Sequence, residues 1–345
     1  MTRFSFLLAC AMALLVATPV RALETDQFTV PQGPLPDIGG EIEAHVGQII
    51  SDLVADTNTR IDSHLQESRD GFPLFRQHHQ LKARHLQDEE EIAARIYEEI
   101  GQGLPECTLE RWVRAHEFRA ANAVYELPIE RSVFGASQFS RSLTLQELSP
   151  TINMFGNYLG TDKLGHFFQQ GHEYFDIYRR RELRSRDVAA AVRKAVEAGL
   201  GQENGIFGSV TDGVFSNADL AANYAGFKFY FNLTHAVTID GVIYQPILLM
   251  HDGHWEMNPK RRDNLMRPFI SDHLNEAMNP CKYSRQMRPT ISANIAARRD
   301  GWVAFYHMSI NDVAATQKQL QTWHGEDYGY ADLDHVVTLL TAGGR

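Results

Sequence analysis

The sequence predicts a mainly α fold with a small β-hairpin element. Apolar residues recur every three to four positions in several stretches, which is typical of a helix with one buried face. Glycines between positions 199 and 213 interrupt one such stretch and indicate turns. The short apolar pairs Ile206–Phe207 and Val214–Phe215 flank these turns, so we expect them to form the two arms of the hairpin.

The remaining elements follow from periodicity and from capping residues. Thr161 precedes one helical pattern, and Ser216 precedes another with Asp219 three residues later, which indicates a capping box. The apolar stretch 238–250 predicts strand, and the pair Asp240–Gly241 predicts a turn inside it. Residues 149–160 predict a loop. We expect helices over residues 41–67, 87–100, 108–123, 161–181, 187–198 and 217–233.

The first 22 residues have the features of a signal peptide. Arg3 precedes a short apolar run, and Val20, Arg21 and Ala22 fit a cleavage site that ends in a small residue. We therefore expect a bacterial periplasmic or secreted protein that is cut near Ala22. The mature chain divides into an extended Pro/Gly-rich arm (23–40), a main α-rich domain that holds the candidate site (41–260) and a C-terminal helical extension (261–345).

Charge and cysteine content restrict the partners and the redox chemistry. Removal of Arg3 and Arg21 with the signal peptide moves the formal charge from −10 to −12, which disfavours binding to nucleic acid. No stretch of the mature chain is long and apolar enough to predict a transmembrane segment. Cys107 and Cys281 remain after cleavage, and they form either one disulfide or two buried thiols.

Glu203 and Asp212 are the candidate catalytic pair. Cleavage of a glycosidic bond needs a carboxyl group that stays protonated near neutral pH, and burial at the end of a helix can keep Glu203 in that state. Asp212 would hold a water molecule, which Thr211 or Ser216 would orient. The alternative is that Glu203 pairs with a cation and that Asp212 belongs to an ordinary turn.

A second polar set lies on two predicted helices and would support Glu203. Asp162 and His166 are one helical turn apart, as are Asp219 and Asn223, and Lys163 adjoins the first pair. These side chains either line a site or form a buried hydrogen-bond network that locks one helix to another.

Histidines do not predict a metal site or a cofactor site. His251 and His254 are three residues apart, with Glu256 and His235 nearby, but the pair lies on a predicted turn and lacks a helical zinc motif. We therefore expect neither a metal nor a cofactor, and a metal-dependent hydrolase is the weakest of the functional hypotheses.

The chain also shows two partial resemblances to known families. The order Asp162-Lys163-x-x-His166-Phe167, followed by Ser216-x-x-Asp219-Leu220-x-x-Asn223, resembles the pattern of VanZ-like and YfiM-type envelope proteins. That resemblance implies an envelope location and helix packing rather than a reaction.

The second resemblance is to the lysozyme superfamily, in which the catalytic Glu ends a helix and a Gly-rich β-hairpin follows. The phage type spaces Glu-x8-Asp-x5-Thr, and Glu203 and Asp212 match the first two positions, whereas Ala218 replaces the threonine. This resemblance implies a lysozyme-like core and glycosidase activity.

Two other functional hypotheses follow. The first is a periplasmic lysozyme-like glycoside hydrolase that acts on peptidoglycan or a related envelope polysaccharide, with Glu203 as the general acid. The second is a non-catalytic envelope structural or binding protein in which Asp162, His166, Glu203, Asp219 and Asn223 form a buried polar core. Accessibility separates them, because a catalytic Glu203 must open into a groove that is long enough for several sugars.

Overall fold

The computed structural model describes residues 24–104, 106–115, 118, 121–136, 147–204, 213–331 and 336–342. The mainly α fold with small antiparallel strands is confirmed. The α-helices, in chain order, are α1 (Gly39–Asp70), α2 (Arg76–Leu86), α3 (Glu89–Ile96), α4 (Thr108–Ala115), α5 (Asp162–Gly165), α6 (Gly171–Ser185), α7 (Val188–Glu203), α8 (Asn217–Asn232), α9 (Arg288–Tyr306) and α10 (Ile310–Gln319). The strands are β1 (Val124–Tyr125), β2 (Thr151–Met154), β3 (Asn157–Gly160), β4 (Val214–Ser216), β5 (Val237–Ile239), β6 (Val242–Tyr244), β7 (Leu248–His251), β8 (His254–Met257), β9 (Cys281–Tyr283) and β10 (Val336–Val337).

Helix α8 is the centre of the larger hydrophobic core. Nearly all of its side chains are buried, and α6 and the π-helical turn His166–Gln170 pack against it. Gly226 allows the closest approach, because a Cβ atom at this position would lie 1.9 Å from the carbonyl oxygen of Phe167. Within the described residues, no helix combines the length and the apolar composition needed to cross a membrane.

The helix predicted over 161–181 contains a change of register. It begins after Thr161, as predicted, but the Thr161 hydroxyl makes no capping hydrogen bond. The π-helical turn between α5 and α6 adds a residue to the helical repeat, which rotates the later side chains relative to the earlier ones. In a regular helix Glu173 would share the face of Asp162, but after this turn it lies at the surface and accepts a hydrogen bond from the Gln202 side chain.

The strands depart from the predictions in two places. Residues 151–160 form the hairpin β2–β3 instead of a loop, with Phe155 and Gly156 at positive φ in its tight turn. Strand β4 confirms part of the predicted hairpin arm, but its partner among the described residues is β9. Ile206–Phe207, the other predicted arm, lies outside the described residues. The turn at Asp240–Gly241 is confirmed between β5 and β6.

The two ends of the described part of the chain meet in a smaller second core. The predicted arm runs along the β2–β3 hairpin, where Thr25 pairs with Ser149 and Asp37 pairs with Asn153. Phe28 of this arm packs with residues of β4, β9 and α9. The pairing of β4 with β9 crosses the predicted domain boundary at residue 260. The C-terminal region, predicted to be mostly helical, also contains β9 and two 3₁₀ turns at Arg267–Phe269 and Asp272–Leu274.

Candidate functional site

The candidate site is a buried cluster of charges centred on Lys163. Its side chain is 0% exposed, and its Nζ atom lies 2.7 Å from Asp162 Oδ2, 2.5 Å from Asp219 Oδ1 and 2.6 Å from Glu276 Oε1. Asp162 and Lys163 open α5, Asp219 lies in the first turn of α8, and Glu276 lies in the irregular segment before β9. Three distant parts of the chain therefore meet at one ammonium group.

The N-terminal arm closes one side of this cluster. The Thr25 hydroxyl donates a hydrogen bond to Asp162 Oδ1 at 2.6 Å. The Glu276 backbone N–H donates to Gln27 Oε1 at 2.5 Å, and the Gln27 side-chain amide donates to the carbonyl oxygen of Tyr158. These contacts account for the burial of polar side chains in an arm that the sequence predicts only as extended.

Glu203 ends α7, as predicted, and reaches the start of α8. Its Oε1 accepts a hydrogen bond from the Ser216 backbone N–H at 2.8 Å, and the residue is 3% exposed. The Ser216 hydroxyl accepts from the Asp219 N–H at 3.1 Å, so Ser216 is the N-cap of α8. The predicted capping box is incomplete, because Glu203 takes the Ser216 N–H and the Asp219 carboxylate turns to Lys163.

His166 and Asn223 form the outer edge of the cluster. His166 Nδ1 lies 3.0 Å from Asn223 Oδ1, and His166 Nε2 lies 3.4 Å from Asp219 Oδ2. The His166 side chain is 18% exposed, whereas Asn223 is buried. Both ring nitrogens of the histidine therefore contact side chains of α8, which joins α5 and the π-helical turn to that helix.

Electrostatics divide the acids of the cluster into two kinds. Burial, with the Asp219 charge as the next cause, raises the pKa of Glu203 well above its ordinary value. Burial also raises the pKa of Glu276 to about 8, although Lys163 opposes this shift. Burial would likewise raise the pKa of Asp219, but His166 and Lys163 outweigh it and the pKa is lowered. Burial therefore favours the protonated form of both glutamates, whereas Asp219 is held as a carboxylate.

Lys163 keeps its charge despite complete burial. Burial alone would lower the pKa of its ammonium group, but Asp162, Asp219 and Glu276 raise it well above the ordinary value. The three carboxylates offer oxygens within 4.8 Å of one another, which is a spacing that could hold a cation. The ammonium group contacts all three acids, so the protein supplies that cation from its own chain.

The structure brings together most of the predicted site residues. The cluster contains Asp162, Lys163, His166, Glu203, Ser216, Asp219 and Asn223. Asp212 and Thr211 lie outside the described residues. His251 and His254 lie on the separate β7–β8 hairpin, where each contacts a single aspartate, Asp252 and Asp62 respectively.

Sequence reasoning did not find Glu276, Thr25 or Gln27. Glu276 is 113 residues from Lys163 along the chain, in a segment without helical or strand periodicity. One signal was available, because a buried lysine needs acidic partners and Asp162 and Asp219 alone leave one ammonium hydrogen unsatisfied.

Cys107 and Cys281 are both buried and free, so the structure has the second of the two predicted alternatives. Cys107 precedes α4, where its backbone N–H donates to Glu110, and Cys281 begins β9 beside Glu276. Burial, with the neighbouring glutamates, raises the pKa of both thiols well above the ordinary value. Both sulfurs are thus unreactive thiols in the folded chain.

A cleft lies on the outer side of α7. Its volume is about 690 Å³, and its wall is mainly apolar, with side chains from α6, α7, α8 and residues 326–331 (Tyr178, Val192, Leu200, Phe227, Phe231 and Tyr330); the charged Lys228, Glu326 and Asp327 also line it. We call it the apolar cleft. This volume falls in the range of about 300–1,000 Å³ that is usual for small-molecule sites.

A cationic depression adjoins the apolar cleft and shares Arg193 and Glu197 with it. We call it the arginine groove; its volume is about 570 Å³, and its basic side chains are Arg180, Arg181, Arg184, Arg193 and Lys194. Among the described residues, no ion pair joins Arg181, Arg184 or Arg193 to an acid. The groove is therefore a positive surface on a chain whose formal charge is −10.

Comparison with known proteins gives no match: no family model, no curated protein and no solved structure matches the chain.

Proposed function

We propose that the chain is a non-catalytic binding protein of the bacterial envelope, in which the Lys163 cluster is a structural core. One observation carries this proposal: Lys163 is 0% exposed and contacts three acids at once, while Glu203 is 3% exposed and hydrogen-bonded to Ser216. A general acid must reach the leaving oxygen of its substrate. Glu203 instead meets the requirement for a structural residue, because a buried polar group must have a hydrogen-bond partner and the Ser216 N–H is that partner.

The apolar cleft and the arginine groove give this protein a ligand site. Their combination favours an anionic amphiphile, whose alkyl chain would fill the cleft and whose headgroup would lie on the arginines. Each buried methylene group would contribute about 0.8 kcal/mol, and guanidinium groups bind phosphate oxygens through paired hydrogen bonds. Glu197 lines both depressions where they join, so its carboxylate would disfavour a ligand with a negative charge at that point.

The ligand site can be tested with dodecyl phosphate below its micellar concentration. Calorimetry should show tighter binding than for dodecyl maltoside, which lacks the charge, or inorganic phosphate, which lacks the chain. Val192→Asp should abolish the binding of both amphiphiles. Arg184→Glu should weaken the binding of dodecyl phosphate and leave the binding of dodecyl maltoside unchanged. Arg285→Glu, an equal charge change at an exposed site outside both depressions, should have no effect. Equal binding of the two amphiphiles would contradict the proposal.

A glycoside hydrolase with Glu203 as the general acid is the second candidate. The observation in its favour is the raised pKa of Glu203, which keeps the carboxyl protonated as such an acid must be. The export, the envelope location and the polysaccharide substrate belong to this candidate as proposals too.

Digestion of peptidoglycan sacculi separates the two candidates. Purified residues 23–345 and the Glu203→Gln variant would be incubated with native and with deacetylated sacculi, and the soluble fragments would be measured. We expect no fragments from either protein, together with a lower melting temperature for the variant. Fragments from the wild-type protein that Glu203→Gln abolishes would overturn the structural proposal and establish the hydrolase.

A further inference from the structure

Three side chains that can bind metal converge between the first two helices. His64 and Glu67 are three residues apart in α1 and share one of its faces. The chain turns back at Gly71 and the 3₁₀ turn Pro73–Phe75, so that α2 packs against α1 and places His79 opposite them. This group is separate from the Lys163 cluster.

Two of the three distances within the group match those between the ligands of a tetrahedral zinc ion, and the third is shorter. Glu67 Oε2 lies 3.2 Å from His64 Nδ1 and 2.7 Å from His79 Nδ1, and the two nitrogens are 3.4 Å apart. Zinc binds histidine nitrogen and carboxylate oxygen at about 2.0–2.2 Å, which separates neighbouring tetrahedral ligands by about 3.3 Å. The three atoms therefore form one triangular face of such a site.

Hydrogen bonding alone does not satisfy all three contacts. Each neutral imidazole has one N–H and one lone pair, and an ionised carboxylate only accepts. If both Nδ1 atoms carry protons, each can donate to Glu67, and the 3.4 Å approach of the two nitrogens is then the contact without a hydrogen bond. If one is unprotonated, its lone pair faces the Glu67 oxygen. A cation that accepts three lone pairs satisfies every contact.

We propose that His64, Glu67 and His79 bind a zinc ion. The imidazole side chains are 24% and 22% exposed and the Glu67 side chain is 51% exposed, so solvent can reach the site and a water molecule can complete the coordination. Two imidazoles and a carboxylate favour zinc over the hard cations magnesium and calcium. The ion would join α1 to α2 close to the turn between them.

A matched histidine on the same helix provides the control. His85 of α2 also contacts a glutamate, with Nε2 3.0 Å from Glu91 Oε2, but the described residues place no second histidine against that pair. A single histidine and a single carboxylate are too few ligands for a stable zinc site. Loss of His85 should therefore leave zinc binding unchanged.

The experiment titrates metal-free residues 23–345 with zinc chloride and then with magnesium chloride, with calorimetry as the readout. We expect one zinc ion per chain, no magnesium binding and a melting temperature that rises with zinc. His79→Ala should weaken zinc binding at least about tenfold and remove the thermal shift, whereas His85→Ala should retain both. Circular dichroism verifies that both variants fold. Absence of saturable zinc binding, or an equal loss in the two variants, would refute the site.

Discussion

Replacement of Lys163 with methionine tests how the buried cluster stabilises the fold. Methionine is similar in length but has no charge, so the variant leaves Asp162 and Asp219 buried without their cation. Removing one member of a buried ion pair typically costs about 3–5 kcal/mol. We expect a loss in that range from the free energy of unfolding at pH 7.

The same magnitude follows from proton binding. An unpaired buried aspartate can escape its charge by taking up a proton, against an ordinary pKa of 3.8. At about 1.36 kcal/mol for each pH unit, this uptake costs about 4.4 kcal/mol at pH 7 and about 1.6 kcal/mol at pH 5. The gap between wild type and Lys163→Met should therefore narrow by roughly 2–3 kcal/mol over this interval.

Urea unfolding followed by circular dichroism at the two pH values gives both quantities. Lys282→Met is the matched control, because Lys282 is exposed on β9, and its loss should change stability by no more than about 0.5 kcal/mol. A loss below about 1 kcal/mol at pH 7, or a gap that does not change with pH, would refute the reasoning.

Three further predictions concern single positions. Burial raises the folded-state pKa of Glu276 from 4.5 to about 8, so the folded chain holds an extra proton and becomes less stable as pH rises toward 8. Glu276→Gln should remove about 2 kcal/mol of the loss of stability between about pH 6.5 and 8, as measured by urea unfolding. Gly199→Ala would place a Cβ atom 1.6 Å from a tyrosine hydroxyl and should lower the free energy of unfolding by at least about 1–3 kcal/mol. In the same helix, a Cβ atom at Gly201 meets nothing within 4 Å, so Gly201→Ala should raise the free energy of unfolding by up to about 1 kcal/mol in the same assay. Cys107 and Cys281 should resist a thiol reagent until urea unfolds the protein, and rapid labelling of the native chain would contradict their burial.

Local signals in the sequence predicted local structure well. Asp240–Gly241 has the residue types that a tight hairpin turn requires, and the turn is present. Ser216 caps α8 because its hydroxyl accepts a hydrogen bond from the Asp219 N–H, one of the free N–H groups at the helix start. The hairpin β2–β3 was missed because its strands have only four residues each and its turn carries a phenylalanine at positive φ.

Contacts between distant segments could not be predicted from the same signals. Asp162, Lys163 and Asp219 were identified as a polar set from helical spacing, but their common centre on the ammonium depends on Glu276. That glutamate lies shortly before β9, which pairs with β4, and a strand of three residues has too little periodicity to detect. The zinc triad depends in the same way on the angle at which α2 returns along α1.

The central claim is that Lys163 and its acids act as one structural unit, and a double-mutant cycle tests it most directly. The free energy of unfolding would be measured for the wild type, Lys163→Met, Asp219→Asn and the double variant at pH 7. Groups that share one buried network couple by about 0.5–3 kcal/mol. With Nζ and Oδ1 at 2.5 Å we predict a coupling of at least about 1.5 kcal/mol, with the double variant more stable than Lys163→Met alone. Additive losses within about 0.5 kcal/mol would contradict the claim.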